Sequence, residues 1–216
     1  MTGEPNPKPL RILVLGARRG IGAELLKSAA AAGHHMTGFS RLPYALMSAN
    51  IAYRQGDVRS PTDISAAVKG QDVVVWTVGM SITRDPVSLF SEGTRNVLHA
   101  MAEHGVRKLI AVTGIGAGNT KGHGGFSYDH IINPLFLRTI YEDKDRQEAL
   151  IRESKLTWMI VRPGFLTHGP RTGSYRVVID LEGVRAGKIS RADVADFILR
   201  ELTEPQHWFR APLLTY

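Results

Sequence analysis

Residues Arg11–Gly22 read RILVLGARRGIG, and the interpretation of this stretch decides the fold. Arg11–Leu15 is a short apolar run of strand formers. It leads straight into Gly16, Gly20 and Gly22, and then into AELLKSAAAAG, which is rich in helix formers. Strand, glycine turn, helix is the order that sets a helix N-terminus at the end of a buried parallel strand. Free N–H groups and the positive end of the helix dipole make that place a phosphate site. Glycine there permits a tight turn, close approach of the backbone to a pyrophosphate, and helix-on-strand packing. The spacing is G-x-x-x-G-x-G. The competing interpretation is a purely structural turn; the strand before it and the helix after it favour a dinucleotide.

The rest of the chain bounds the class. Its 216 residues suffice for one domain with a substantial core. With no cysteine, disulfides, thiolate catalysis and cysteine-ligated zinc are excluded. No apolar run approaches the ~20 residues that span a bilayer. Residues 1–9 have the proline-bearing character of a flexible tail rather than of a secretory signal, so a cytoplasmic location is expected. The formal charge of +7 raises a polyanion partner, but the basic residues are scattered, without a run of five or an aromatic-interleaved stripe. The expected partner is a small molecule, with neither nucleic acid nor membrane, and the chain is expected to act as a monomer or homodimer. No H-E-x-x-H or similar spacing points to a metal, and no G-x-S-x-G turn points to a hydrolase.

Beyond the first helix, which Gly33 stops, His35–Phe39 is a second strand ending in Ser40-Arg41. In dinucleotide folds an acid at that place bonds the ribose of NAD, whereas arginine accommodates the 2′-phosphate of NADP. No Asp or Glu lies between Glu24 and Asp57, so NADP(H) is expected over NAD(H). Arg18 and Arg19 add positive charge at the turn. Ala52–Gln55 is a third strand, followed by Gly56-Asp57-Val58. Ser60 with Asp63 starts a helix as a capping box, with Pro61 in its first turn. Asp72–Val78 has the continuous apolar character of a central parallel strand, with Gly79 at its end. A helix over Pro86–Glu103, a fifth strand over Arg107–Thr113, a helix from Pro134 to about Glu153 and a sixth strand over Thr157–Arg162 follow. Ser190 and Asp193 cap a last helix. Arg176–Ile179 has the character of a short extra strand, and Trp208–Tyr216 that of a terminal strand or an extended tail. This alternation specifies an α/β fold: one doubly wound, Rossmann-type parallel sheet of order 3-2-1-4-5-6, with room for a seventh strand. The domain spans 10–216, with substrate-side loops at 114–132 and 164–188.

Taken in order, five features resemble the short-chain dehydrogenase/reductase superfamily. They are GARRGIG, Gly56-Asp57-Val58, the strand ending Thr77-Val78-Gly79, the strand ending Val112-Thr113-Gly114, and Lys144 with Glu148 leading to IVRPGFL. The closing RADVADFIL fits as well. More narrowly, the chain looks like the atypical NAD(P)H-binding branch that includes the NmrA-like proteins and the biliverdin reductase B/flavin reductase group. That resemblance implies that Gly16, Ala17, Gly20, Ile21 and Gly22 line the pyrophosphate, with Arg18 and Arg19 contributing. It puts Ser40 and Arg41 on the 2′-phosphate, and Asp57 and Val58 at the adenine. Thr77, Val78 and Gly79 would run along the ribose, Lys144 would bond the nicotinamide ribose, and Pro163, Gly164, Phe165 and Leu166 would border the nicotinamide.

The sequence departs from the superfamily at the catalytic tyrosine. That residue usually stands four positions before the lysine, where this chain has Ile140. Tyr141, three before, still falls near the same helix face, though with its ring directed differently. Thr113 takes the place of the usual serine, and its hydroxyl suits a substrate carbonyl. Thr113, Tyr141 and Lys144 are thus the expected catalytic set. The alternative proton donors are solvent, His123, Tyr128, His130 and His168. Phe126, Tyr128, His168 and Tyr175 are expected around a substrate pocket suited to an aromatic or conjugated acceptor such as a flavin or quinone. The portion after the sixth strand is short for a sugar-nucleotide epimerase. The implied activity is that of an NAD(P)H-dependent reductase. The alternatives are an NmrA-like sensor that binds nucleotide without turnover, and a basic interaction protein that keeps only the fold.

Overall fold

Short runs of Val, Ile and Leu with no polar interruption suit strands covered on both faces. The computed structural model, which describes residues 8–43 and 49–216, realises them in this way. Residues 1–7 of the expected tail lie outside the described residues. β1 (Arg11–Leu15), β2 (His35–Ser40), β3 (Ile51–Gln55), β4 (Val73–Trp76), β5 (Lys108–Val112) and β6 (Thr157–Pro163) pair in parallel in the expected order β3-β2-β1-β4-β5-β6. The register aligns Leu15 with both Phe39 and Trp76, and Trp76 with Ala111. Their carboxyl ends therefore finish flush, and the turns that follow them share one edge.

Side chains alternate across the sheet. Ile12 and Val14 face α1 (Gly20–Ala31) and α5 (Arg191–Thr203), packing with Leu25, Val194 and Ile198. Leu13 and Leu15 face α2 (Pro61–Val68), α3 (Leu89–Glu103) and α4 (Arg138–Glu153), packing with Ile64, Phe90 and Ile151. Both expected caps form: Ser60 Oγ accepts from the Asp63 N–H at 3.3 Å, and Ser190 Oγ from that of Asp193 at 2.9 Å.

Three features differ from the sequence expectation. The helix expected from Pro134 begins at Arg138, and a ten-residue π-helical segment, Tyr128–Leu137, precedes it. Proline at position 134 has no N–H and its ring crowds the carbonyl four residues back, which wider turns relieve. The loop 114–132 is thus partly helical, with a 3-10 turn at Gly118–Thr120 as well. The 164–188 segment holds β7 (Phe165–Thr167) and β8 (Arg176–Val178), and β7 pairs in parallel with β9 (Lys188–Ser190). Finally, β10 (Leu213–Thr215), narrower than the expected strand, adds to β6 in parallel and to β8 antiparallel.

Candidate functional site

The glycine turn is built by close packing against the end of β4. A Cβ on Gly22 would stand 2.5 Å from Thr77 Oγ1 and 2.7 Å from the Gly16 carbonyl oxygen, and one on Gly16 would stand 2.8 Å from the Thr77 backbone. Gly16 (φ +86°) and Gly20 (φ +65°) also occupy left-handed backbone. Thr77 cannot swing aside without losing its 2.8 Å bond to the Leu15 carbonyl. Gly22→Ala is accordingly expected to cost about 1–3 kcal/mol as overpacking, measured by denaturant unfolding; an unchanged midpoint would mean that the turn relaxes freely. Ala17 and Ile21 send their side chains into the core, which leaves only their backbone for a ligand. Arg18 and Arg19 are exposed. The α1 N-terminus has neither a side-chain cap nor an acid in its first turn, so its donors and dipole suit an anion.

At the end of β2, Arg41 is exposed, while the Ser40 hydroxyl lies 2.7 Å from that of Tyr53 and donates to the Leu42 carbonyl at 2.8 Å. Asp57 faces Arg59, which it meets at 3.3 Å. Burial pushes the Asp57 carboxyl up, but the Arg59 bonds and the nearby Arg41 outweigh it and hold the group below its usual range. Val58 is buried beneath α3.

At the shared edge lies a cavity of about 280 Å³ lined by Thr77–Gly79, Val112–Ile115, Pro163–Leu166, Tyr128, Tyr141 and Lys144. Three strand ends and α4 meet there. A larger hollow, of about 400 Å³, sits by Leu10, Asp72 and Lys108 at the opposite, amino edge of the sheet. It is remote from the glycine turn and brings none of these groups together.

Lys144 Nζ donates to the Thr113 carbonyl. Desolvation lowers its pKa to about 8, against the raising influence of Glu148. The Tyr141 ring does face the cavity: a Cβ on Gly114 would stand 3.4 Å from its hydroxyl and 4.0 Å from Lys144 Nζ, so the two heads converge at that glycine. Ile140 is turned into the core instead. The face of α4 that meets the strand ends is therefore the 141/144 face, which brings Tyr141 rather than residue 140 to the cavity beside Lys144. Burial pushes the Tyr141 phenol up, with the Tyr128 hydroxyl, 3.0 Å away, acting in the opposite sense. Tyr128 also reaches the Ile115 carbonyl at 2.9 Å and stands edge-on to Phe165.

Other expected residues are engaged differently or lie outside the cavity. The Thr113 hydroxyl donates to Glu148 at 2.8 Å instead of opening toward a substrate carbonyl. Phe126 is exposed and stacks on His130. Tyr175 lies beneath α5, its hydroxyl on Asp196 at 2.9 Å, and is no part of the cavity wall. His168 is exposed and outside the cavity lining, and His123 Nδ1 is 2.8 Å from the Val184 carbonyl. Among the described residues no group of three or more His, Asp or Glu is placed to hold a metal, and no helix is long and apolar enough to cross a membrane. Sequence reading assigned no role to Arg162. Buried and bonded to Glu148 and Asn119, it underpins the Thr113–Gly118 turn. An arginine inside the apolar run TWMIVRP was the available signal, because such a charge demands a buried partner.

Comparison with known proteins fits this geometry. A family model described as NAD(P)H-binding matches residues 16–205. YhfK of Bacillus subtilis, described as an uncharacterized sugar epimerase, is 33% identical over 159 residues, covering 72% of this chain and 68% of YhfK. ChuY, an anaerobillin reductase from Escherichia coli O157:H7, superposes with TM-score 0.78 at 21% identity, covering 95% of this chain and 96% of ChuY. A short-chain dehydrogenase/reductase from Veillonella parvula, solved in complex with NADP, superposes with TM-score 0.79 at 17% identity over 96% and 94% of the two chains. The two structural likenesses show the fold, and the family model reaches from the glycine turn through the last helix: the chain belongs to the NAD(P)H-binding family.

Proposed function

We propose that the protein is an NADPH-dependent reductase that passes a hydride to a small conjugated acceptor, such as a flavin or quinone, in a cytoplasmic setting. The observation that carries this reading is the convergence of Tyr141 and Lys144 at Gly114, in the cavity where the strand ends meet. The residues suit the nucleotide. The uncapped α1 N-terminus and Arg18 and Arg19 would hold the pyrophosphate, and Arg41 the 2′-phosphate. Asp57 and Val58 would border the adenine, Thr77–Gly79 and Lys144 the ribose, and Pro163–Leu166 the nicotinamide. Bound and reduced, the nicotinamide supplies the hydride.

The protein's own contribution is orientation, exclusion of water and control of a proton. Lys144 is fixed by the Thr113 carbonyl, which presents a cation beside Tyr141. The Tyr141 phenol stays protonated, and its Oη is the donor nearest Lys144 for an oxygen or nitrogen of the acceptor. Tyr128 backs that hydroxyl and, edge-on to Phe165, closes one wall against solvent.

Consumption of NADPH with a panel of flavins, quinones and bilins tests the reading. Turnover with one of them supports it; flat traces from protein that binds NADPH would make it a nucleotide sensor. Cofactor choice has its own test. Arg41→Ala is expected to weaken NADPH by about tenfold or more, the loss of one charge-assisted contact, and to leave NADH within about twofold. Equal losses in fluorescence titrations would mean that Arg41 does not read the 2′-phosphate.

A further inference from the structure

α1 and α5 pack side by side and begin at the same point: a Cβ on Gly20, the first residue of α1, would lie 3.7 Å from Cδ and Nε of Arg191, the first residue of α5. The Arg191 side chain, from far along the sequence, therefore lies against Gly20 of the glycine turn. Its Nη1 donates to the Thr167 carbonyl at 2.9 Å, and it takes part in none of the ion pairs among the described residues. The nearest acid on its own helix, Asp193, is engaged by Ser190, Thr172, Gly173 and Tyr216. The uncapped α1 N-terminus thus has beside it an arginine that pairs with no carboxylate among the described residues, with Arg18 and Arg19 in the same turn.

Resting on the NADPH reading above, we infer that Arg191 is a pyrophosphate-binding residue and that it ties the occupied glycine turn to the cavity wall. A guanidinium has donors to spare after one carbonyl, and its planar fork suits paired phosphate oxygens. Because Arg191 also holds Thr167, at the end of the strand that carries Phe165 and Leu166, an anion on the turn steadies the segment lining the acceptor cavity. The other charges carried by the turn, Arg18 and Arg19, act in the same direction.

The test is calorimetric titration of wild type, Arg191→Ala and Arg191→Gln with NADPH, ADP-ribose and adenosine 2′-monophosphate. The last carries the 2′-phosphate but no pyrophosphate. Glutamine removes the charge while keeping a polar side chain, so it guards against an effect of truncation alone. Both variants are expected to bind NADPH and ADP-ribose about tenfold or more weakly, with adenosine 2′-monophosphate within about twofold of wild type. Unchanged NADPH affinity, or an equal loss for all three ligands, overturns the assignment while leaving the cofactor reading in place. Wild-type protein that binds none of the three removes both.

Discussion

Arg162→Ala is expected to lower the free energy of unfolding by about 3–5 kcal/mol, the cost of stripping one partner from a buried ion pair. Arg162 is 1% exposed and Glu148 3%. Arg162 Nε meets Glu148 Oε1 at 3.0 Å, and Nη2 bonds the other carboxylate oxygen. Nη1 bonds Asn119, and Gly118 crosses so close that a Cβ there would overlap the guanidinium at 2.1 Å. Alanine leaves a cavity, an orphaned Asn119 and a carboxylate with only Arg152, 3.7 Å away, and the charge of Lys144 nearby. The damage spreads to the site, because Glu148 also holds the Thr113 hydroxyl and the Thr113 carbonyl holds Lys144. The double variant Arg162→Met/Glu148→Leu is expected to recover much of the loss, since apolar replacement of both partners spares the desolvation of either. Urea unfolding of the singles and the double decides it. An Arg162→Ala loss under about 1 kcal/mol, the range of surface pairs, would mean that water reaches the carboxylate.

What the chain disclosed in advance was whatever rests on local pattern. The apolar runs at Arg11–Leu15 and Val73–Trp76, the glycine turn between strand and helix, and the capping boxes at Ser60 and Ser190 act over a few residues. They located the parallel sheet and its shared edge. The misses came from contacts between distant segments. Strands of three residues such as Phe165–Thr167 and Lys188–Ser190 carry too little periodicity to be seen before their pairing is known. Arg191 and Gly20 are neighbours solely because α1 and α5 pack. The aromatic residues divided for the same reason. Tyr128 is drawn in by the Ile115 carbonyl, Tyr175 is captured by Asp196, and Phe126 is left outside on His130. Nothing in their local sequence separates the three.

Lys144→Ala is expected to lower turnover with any accepted substrate by about 10²–10⁴-fold, the range for a group that works on a proton-transfer step. NADPH affinity should fall as well, through loss of the proposed ribose contact. The geometry behind this is the meeting of Nζ and the Tyr141 hydroxyl at Gly114. Desolvation brings the Lys144 pKa from its ordinary 10.5 to about 8. The cation is therefore complete below that pH and is lost above it, so wild-type turnover should decline as pH rises through about 8. In Lys144→Ala that limb should vanish, leaving a flat, low profile. Tyr141→Phe separates the two roles, since it keeps the ring beside Lys144 and removes only the hydroxyl. A loss of about 10²-fold or more in kcat with unchanged NADPH affinity makes Tyr141 the proton donor. Full turnover in Tyr141→Phe, with Lys144→Ala still inactive, hands protonation to solvent and leaves Lys144 as the residue that seats the cofactor. Full turnover in Lys144→Ala would remove the convergence at Gly114 from the mechanism altogether.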